Sequence, residues 1–302
     1  MVIGAGPSGL TAALYMTREG IEVLVIEKSS VGGQIGTTQI LENYPGYDEG
    51  IDGAELADRL GNQARKFGAE ILEAQEVRSI TKQGIYWVVE TSDGASYTSK
   101  VVLFSTGARY RRLNIPGEEQ LMGINVHFCA TCDGAFYKGK KVLVIGGGNS
   151  GFEEGLFLTR FADQVDIVEF LPEVKASQIL QESAERNDQV KVYVNHAVKE
   201  FVGEHALDKV LVEDRATGEI KEWQYDGVFV FIGLTPNSDL IKDLAEIDEF
   251  GFVLTDKTLM TSRQGLFASG DVRADSTKQA AAAAGEGVTA ALMIRQYLKE
   301  VG

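Results

Sequence analysis

The sequence predicts an α/β protein with two nested Rossmann-like domains, the second inserted in the first. A G-x-G-x-x-G motif follows a short apolar run twice, at residues 4–9 and at residues 146–151. A second apolar run after each motif ends in an acid, and Glu27 and Glu169 each lie 23 residues after the first glycine of their motif. The length of 302 residues suits two domains of ordinary size.

Each repeat has the parts of a dinucleotide-binding site, so both domains are expected to be of the FAD/NAD(P)-binding type. The first glycine permits a tight turn, the second lets backbone N–H groups approach a pyrophosphate, and the third lets helix and strand pack closely. The helix N-terminus attracts the anion, and the acid accepts hydrogen bonds from ribose hydroxyls. Glycines that merely punctuate loops explain one copy, but they explain two equally spaced copies poorly. The candidate residues are Gly4, Gly6, Pro7, Ser8, Gly9 and Glu27 in the first repeat, and Gly146, Gly148, Gly151 and Glu169 in the second.

Further apolar runs predict the elements that complete the two domains. Buried strands are expected at residues 101–104, 225–232 and 266–271. A final alanine-rich helix is expected at about residues 279–297. The second repeat and its partners occupy residues 112–234. The first domain is therefore discontinuous, with residues 1–111 and 235–302. The crossings at residues 109–113 and 234–238 are expected to form a double hinge.

The composition excludes several classes of protein. With 29 basic and 44 acidic side chains the net charge is −15, which disfavours nucleic acid and anionic membranes as partners. No apolar run approaches the roughly 18 residues of a membrane-spanning helix, and no signal peptide is visible before the first motif. Two cysteines allow one disulfide at most, so the chain is not a disulfide-stapled secreted domain. A cytoplasmic location is expected.

Both cysteines lie in one C-x-x-C motif, formed by Cys129 and Cys132 and followed by Asp133. This spacing permits either a redox disulfide or half of a zinc site, and it can lower the pKa of one thiol to about 7 or less. Zinc needs two further ligands, and only His127 among three histidines is near, so redox chemistry is favoured and no metal is expected. Asp133 is interpreted as a general acid, with a helix cap or turn residue as the alternative. His127 is interpreted as a packed neighbour rather than a catalytic base.

The chain resembles the low-molecular-weight, bacterial-type thioredoxin reductases over essentially its whole length. The C-A-T-C-D-G segment at residues 129–134 is similar to the redox motif of that family. The first repeat and the segments at residues 32–34, 42–46 and 269–272 resemble its FAD-binding set, and K-Q-A at 278–280 stands where the family usually has Arg-Gln beside the flavin ring. The resemblance implies FAD as cofactor, thioredoxin as partner and a homodimer. The further FAD-binding candidates are Gly33, Gln34, Asn43, Thr106, Gly107, Gly270, Asp271, Lys278, Gln279 and Ala280.

The resemblance also implies a route for the electrons. A reduced donor passes two electrons to FAD, and the flavin reduces the disulfide through Cys132. The inserted domain then rotates and presents the dithiol, Cys129 attacks the disulfide of thioredoxin, and Asp133 handles the protons.

One departure from the family bears on the electron donor. Members that use NADPH have a His-Arg-Arg…Arg pattern after the second strand of the inserted domain, which binds the 2′-phosphate. Here Glu169 stands at the His position, and Phe170 and Leu171 replace two arginines. Only Lys175 keeps a positive charge in this segment.

The departure disfavours NADPH. A carboxylate about 4 Å from a 2′-phosphate charge costs about 4 kcal/mol at an effective dielectric constant of about 20. The donor is therefore expected to be NADH or a non-pyridine donor such as ferredoxin. The alternative function is a flavin-binding redox sensor or scaffold that lacks efficient turnover with any donor.

Overall fold

The computed structural model describes residues 1–38 and 40–301 and divides the chain into two compact units. Unit 1 comprises Met1–Arg109 and Thr235–Gly302, and unit 2 comprises Tyr110–Leu234. Unit 2 is therefore inserted in unit 1. The first boundary lies two residues before the one expected from the sequence, and the second boundary coincides with it.

The secondary structure runs along the chain in three blocks. Up to the first crossing the elements are β1 (Val2–Ile3), α1 (Pro7–Arg18), β2 (Leu24–Ile26), β3 (Ile40–Leu41), β4 (Ile51–Asp52), α2 (Gly53–Lys66), β5 (Glu70–Leu72), β6 (Val77–Gln83), β7 (Tyr86–Thr91), β8 (Ser96–Ser99), β9 (Val102–Phe104) and β10 (Ala108–Tyr110). The inserted block contains α3 (Glu118–Leu121), β11 (Val126–His127), α4 (Ala130–Asp133), β12 (Lys141–Ile145), α5 (Asn149–Leu158), β13 (Gln164–Val168), α6 (Gln178–Glu185), β14 (Val190–Tyr193), β15 (His196–Val202), β16 (Lys209–Asp214), β17 (Glu219–Trp223) and β18 (Gly227–Val230). The last block contains β19 (Leu234–Pro236), β20 (Leu266–Ala268) and α7 (Ala280–Val301).

The two units repeat one architecture. Unit 1 has a five-stranded parallel sheet in the order β20-β9-β1-β2-β5, and unit 2 has one in the order β11-β18-β12-β13-β14. A three-stranded antiparallel sheet accompanies each, β6-β7-β8 and β15-β16-β17. The registers correspond, because Val2 pairs with Val25 just as Val144 pairs with Ile167. The predicted α/β fold with two Rossmann-like domains is confirmed.

The central strands of both parallel sheets are buried, which is why they are short apolar runs, whereas the edge strands β5 and β14 are partly exposed. Strands β9 and β18 are buried along their whole length. In unit 1, α7 packs closely on α1. A Cβ added at Gly287 of α7 would overlap the carbonyl oxygen of Ser8 in α1. The alanine-rich composition of α7 permits this close approach. The predicted strands and the final helix are confirmed, with ends shifted by a few residues.

The two crossings pair with each other as the two-stranded sheet β10-β19.

Of the helices in the two described ranges, none is both long enough and apolar enough to cross a membrane.

Candidate functional site

The first glycine motif forms a turn that side chains would block. Gly4 has φ +101°, a left-handed conformation, and a Cβ there would lie 2.5 Å from the carbonyl oxygen of Ser105. A Cβ at Gly9 would overlap the carbonyl oxygen of Gly4. Helix α1 begins after Gly6 with no side-chain cap, and a Cβ at Gly6 would meet nothing within 4 Å. The N-terminal N–H groups of α1 therefore have no side-chain cap, and a helix N-terminus of this kind could hold a pyrophosphate.

Glu27, at the end of β2, is held by the same turn. Its side chain is buried, and it accepts hydrogen bonds from the N–H of Ala5 at 2.8 Å and the N–H of Ser29 at 3.0 Å. The hydroxyl of Ser29 also donates to it at 3.1 Å. The carboxylate thus lies beside the glycine turn, where a ribose hydroxyl would reach it.

The structure brings several other unit 1 candidates to this turn or bonds them to one another. Gly33 has φ +57°, and a Cβ there would lie 3.5 Å from the Cα of Gly6. The Asn43 amide donates to the Gln279 side chain at 3.2 Å. The remaining contacts join Gln34 to the carbonyl of Ala108, Thr106 to the carbonyl of Asn237 at 2.8 Å, and the Asn237 amide to the carbonyl of Thr106 at 2.8 Å. Gly107, at φ +69°, accepts a hydrogen bond from the N–H of Asn237 at 3.0 Å.

Lys278 has a left-handed backbone conformation and a side chain that bonds the main chain. It has φ +56°, and its ammonium donates to the main-chain carbonyls of Asp271 at 2.9 Å and Arg273 at 2.5 Å, above the Phe252 ring. Burial lowers the pKa of Lys278, and burial raises the pKa of Asp271. Lys278 therefore stabilises the loop before α7, which begins at Ala280.

Sequence reasoning missed the ion pair behind this loop. Arg273 donates to Glu286 through two nitrogens, at 3.0 and 3.2 Å, and both side chains are largely buried. Glu286 also accepts from the N–H of Gly270 at 2.7 Å. Ser8 and Ser269 share a buried hydrogen bond of 2.6 Å between their hydroxyls. The charge pattern of α7 offered no signal for Glu286, because its partner lies 13 residues earlier in a loop.

The second glycine motif repeats the first in unit 2. Gly146 has φ +123°, and a Cβ there would overlap the carbonyl oxygen of Phe231. A Cβ at Gly151 would overlap the carbonyl oxygen of Gly146. Helix α5 follows an extended Gly148 that again provides no side-chain cap. The glycine turn of unit 2 therefore has the same geometry as that of unit 1.

Glu169, at the end of β13, repeats the bonding of Glu27. It accepts from the N–H of Gly147 at 2.5 Å and from the N–H of Leu171 at 2.8 Å. In both units the carboxylate bonds the amide 22 residues before it and the amide two residues after it. The second carboxylate is therefore fixed against its glycine turn in the same way as the first.

The residues after Glu169 bring in a cation that the local sequence does not reveal. Phe170 is 54% exposed, and the guanidinium of Arg215 lies 3.6 Å from the centroid of its ring. Arg215 also donates to the carbonyl oxygen of Phe170 at 2.6 Å. Lys175, by contrast, is paired with Glu173 at 2.8 Å. Arg215 lies 45 residues from Phe170, so the motif comparison could not find it.

Cys129 and Cys132 are joined in a disulfide at the start of α4. The N–H of Cys132 lies 3.2 Å from the Sγ of Cys129, and Asp133 directly follows the second cysteine. Cys129 and Cys132 are both partly exposed. His127 on β11, two residues before Cys129 in the chain, is buried. In residues 1–38 and 40–301 no three His, Cys, Asp or Glu side chains converge as a metal site would require.

Comparison with known proteins places these sites in a family. The model of the pyridine nucleotide-disulphide oxidoreductases matches residues 1–287. The thioredoxin reductase of Bacillus subtilis is 40% identical over 302 residues, which cover all of this chain and 95% of that protein. The chain belongs to the thioredoxin reductase family. It is an FAD-dependent oxidoreductase with a redox-active disulfide at Cys129 and Cys132.

Other family members extend the comparison. The crystal structure of thioredoxin reductase from Streptococcus pyogenes matches with a TM-score of 0.93 and 41% identity, covering 99% of this chain and 97% of that one. The bifunctional thioredoxin reductase/thioredoxin of Mycobacterium leprae is 43% identical over 99% of this chain. The present chain spans 66% of the length of that longer protein.

Proposed function

We propose that the protein is a flavin-dependent disulfide reductase that passes two electrons from a donor through FAD and the Cys129–Cys132 pair to thioredoxin. The Cys129–Cys132 disulfide on the first turn of α4, with Asp133 next to it, is the observation that carries the proposal. The thioredoxin reductases of Bacillus subtilis and Streptococcus pyogenes support thioredoxin as the acceptor.

The residues of unit 1 fit FAD, which when bound carries the two electrons from the donor to the disulfide. The N-terminus of α1 would hold the pyrophosphate, and Glu27 would accept hydrogen bonds from the ribose hydroxyls. Gly4 and Gly9 let the turn fold closely on its own backbone, and Gly6 leaves open space where its Cβ would lie. In this proposal Cys132 receives the electrons, Cys129 attacks the disulfide of thioredoxin, and Asp133 gives or takes the proton.

We propose further that the donor is not NADPH. Glu169 repeats the bonding of Glu27, so unit 2 offers a carboxylate to a free ribose 2′-OH. A 2′-phosphate at that place would meet a negative charge. This repetition favours NADH.

A non-pyridine donor such as ferredoxin is the second candidate. Phe170 and Leu171, which follow Glu169, are exposed apolar side chains where NADPH-using members have arginines. A unit that no longer bound a nicotinamide cofactor would tolerate such side chains. The homodimer and the cytoplasmic location belong to the same proposal, and sedimentation of the purified protein tests the homodimer.

Anaerobic mixing of the purified flavoprotein with NADH, NADPH and reduced ferredoxin in turn tests the proposal. We expect a visible flavin spectrum, bleaching by NADH or ferredoxin, and subsequent reduction of oxidised thioredoxin. Colourless protein would contradict the cofactor assignment, and rapid bleaching by micromolar NADPH would contradict the role of Glu169. Slow bleaching by every donor would favour a redox sensor.

A further inference from the structure

His127 stands between two polar groups in the interior of unit 2. Its side chain is only 5% exposed, and its Nδ1 lies 3.4 Å from Oδ2 of Asp133. Its Nε2 lies 2.6 Å from the hydroxyl of Tyr137, which is also buried. The imidazole therefore links the carboxyl group beside the disulfide to a phenol behind it.

The geometry selects one tautomer of His127. Burial raises the pKa of Tyr137, so the phenol keeps its proton at neutral pH. When Asp133 is ionised, an Nδ1 lone pair facing it would be repelled, whereas an Nδ1–H is attracted. The phenol of Tyr137 then donates to Nε2, and Nδ1–H points to Asp133.

The surroundings of His127 contain few other charges. The ring of Phe229 on β18 lies 5.2 Å from its centroid, and the ring of Tyr137 lies at 5.4 Å. Asp226 acts on Tyr137 through its charge, and the ammonium of Lys140 lies 5.4 Å from the ring centroid of Tyr137. Asp133 is the charged group in direct reach of the imidazole itself.

We propose that His127 is a positioning residue, which holds Asp133 as the proton donor of the disulfide exchange. The inference rests on the proposed function, because it assigns a role in the reaction of the Cys129–Cys132 dithiol. Tyr137 supports it by fixing the tautomer that presents Nδ1–H to Asp133.

The exchange balances without an outside proton. Cys129 forms a bond to one sulfur of the substrate disulfide, whose other sulfur leaves as a thiolate. Cys132 then attacks Cys129, releasing the second substrate sulfur and restoring the protein disulfide. The two protons that the dithiol loses are the two that the substrate thiols gain. Asp133, held by His127, carries one of them to a leaving sulfur.

Two probe disulfides separate proton donation from structural support. The thiolate released from bis(2-hydroxyethyl) disulfide is strongly basic and gains much from a proton donor. The aromatic thiolate released from 5,5′-dithiobis(2-nitrobenzoate) is a good leaving group without one. The flavin-containing protein is reduced with dithiothreitol, freed of excess reagent without air, and mixed with each probe. Nitrothiobenzoate absorbance follows the aromatic probe, and alkylation with mass spectrometry follows the alkyl probe.

We expect His127→Phe to slow the reaction with the alkyl probe about tenfold, which is part of the effect of a general acid. The rate with the aromatic probe should stay within about twofold of the wild-type rate. His127→Asn keeps an N–H near the position of Nδ1 and should restore part of the alkyl rate. Tyr137→Phe should slow the alkyl reaction less than His127→Phe does. His205→Gln removes an exposed histidine and serves as the matched control.

Three outcomes would overturn the inference. Equal loss with both probes would show that His127 supports only the structure of α4, and no loss with either would show that Asp133 acts without it. If His127→Phe does not fold, the test rests on Tyr137→Phe and His127→Asn. Wild-type rates of both variants with the alkyl probe would then count against the proposal. A wild-type dithiol that reduced neither probe would instead contradict the proposed function itself.

Discussion

Replacement of Glu169 by Gln should change the selectivity between NADH and NADPH. The carboxylate lies at the end of β13 and is fixed by two main-chain N–H groups, so its position is well defined. A 2′-phosphate on a ribose bonded to it would place like charges about 4 Å apart, a repulsion of about 4 kcal/mol at an effective dielectric constant of about 20.

The measured effect should be smaller, because Glu169 is only half-buried and water screens the charge. A loss of about 1.4 kcal/mol of repulsion corresponds to about a tenfold gain in the apparent affinity for NADPH. Arg215, whose guanidinium lies over Phe170 next to this position, should then favour the phosphate. The affinity for NADH should fall about tenfold, because a charge-assisted hydrogen bond to the 2′-OH is lost.

The assay is the rate of flavin bleaching at several concentrations of each nucleotide without air. Glu185→Gln, at the exposed end of α6, removes the same charge and should leave both rates unchanged. An unchanged ratio of NADH to NADPH rates in Glu169→Gln would refute the reasoning. If neither nucleotide bleaches the wild-type flavin, the argument for NADH is wrong and ferredoxin becomes the leading donor.

Three further changes test other parts of the proposal. Cys132→Ser should keep the visible flavin spectrum and abolish reduction of thioredoxin, and a wild-type rate would sink the proposed electron route. Gly9→Ala should yield protein without flavin, because its Cβ overlaps Gly4, whereas Gly151→Ala should keep the flavin and weaken only nucleotide binding; equal flavin loss in both would contradict the separate roles of the two motifs. Glu286→Gln leaves the largely buried charge of Arg273 without an opposite charge and should lower the free energy of unfolding by about 3 kcal/mol, measured by urea denaturation; a change below about 0.5 kcal/mol would contradict it.

The parts of the fold that could be predicted are those that depend on local pattern. A buried parallel strand must be a short apolar run, and a turn that approaches backbone closely must be glycine, so both repeats were visible in the sequence. The overlap that a Cβ at Gly9 or Gly151 would cause shows why those positions admit no other residue. The equal spacing of Glu27 and Glu169 was predictive because the same carboxylate-to-amide bonds follow from it.

The parts that could not be predicted depend on contacts between distant segments. Arg215 reaches Phe170 across 45 residues, and its charge carries no local pattern. His127 was interpreted as a packed neighbour, and it is indeed buried. Its contacts with Asp133 and Tyr137 depend on how β11, α4 and the turn after α4 meet, which no spacing rule specifies.

The repeated bonding of the two glutamates also decides which substitutions are informative. Each carboxylate ties the end of a strand to the glycine turn, so it stabilises the turn as well as facing a ribose. Alanine at Glu169 would leave the N–H groups of Gly147 and Leu171 without this acceptor and would loosen the cradle itself. Glutamine removes the charge and keeps one of the two acceptor oxygens, so one N–H bond is lost for both nucleotides alike. A change in nucleotide selectivity in Glu169→Gln therefore reports the charge, whereas a loss of all nucleotide binding in an alanine variant would report only the turn.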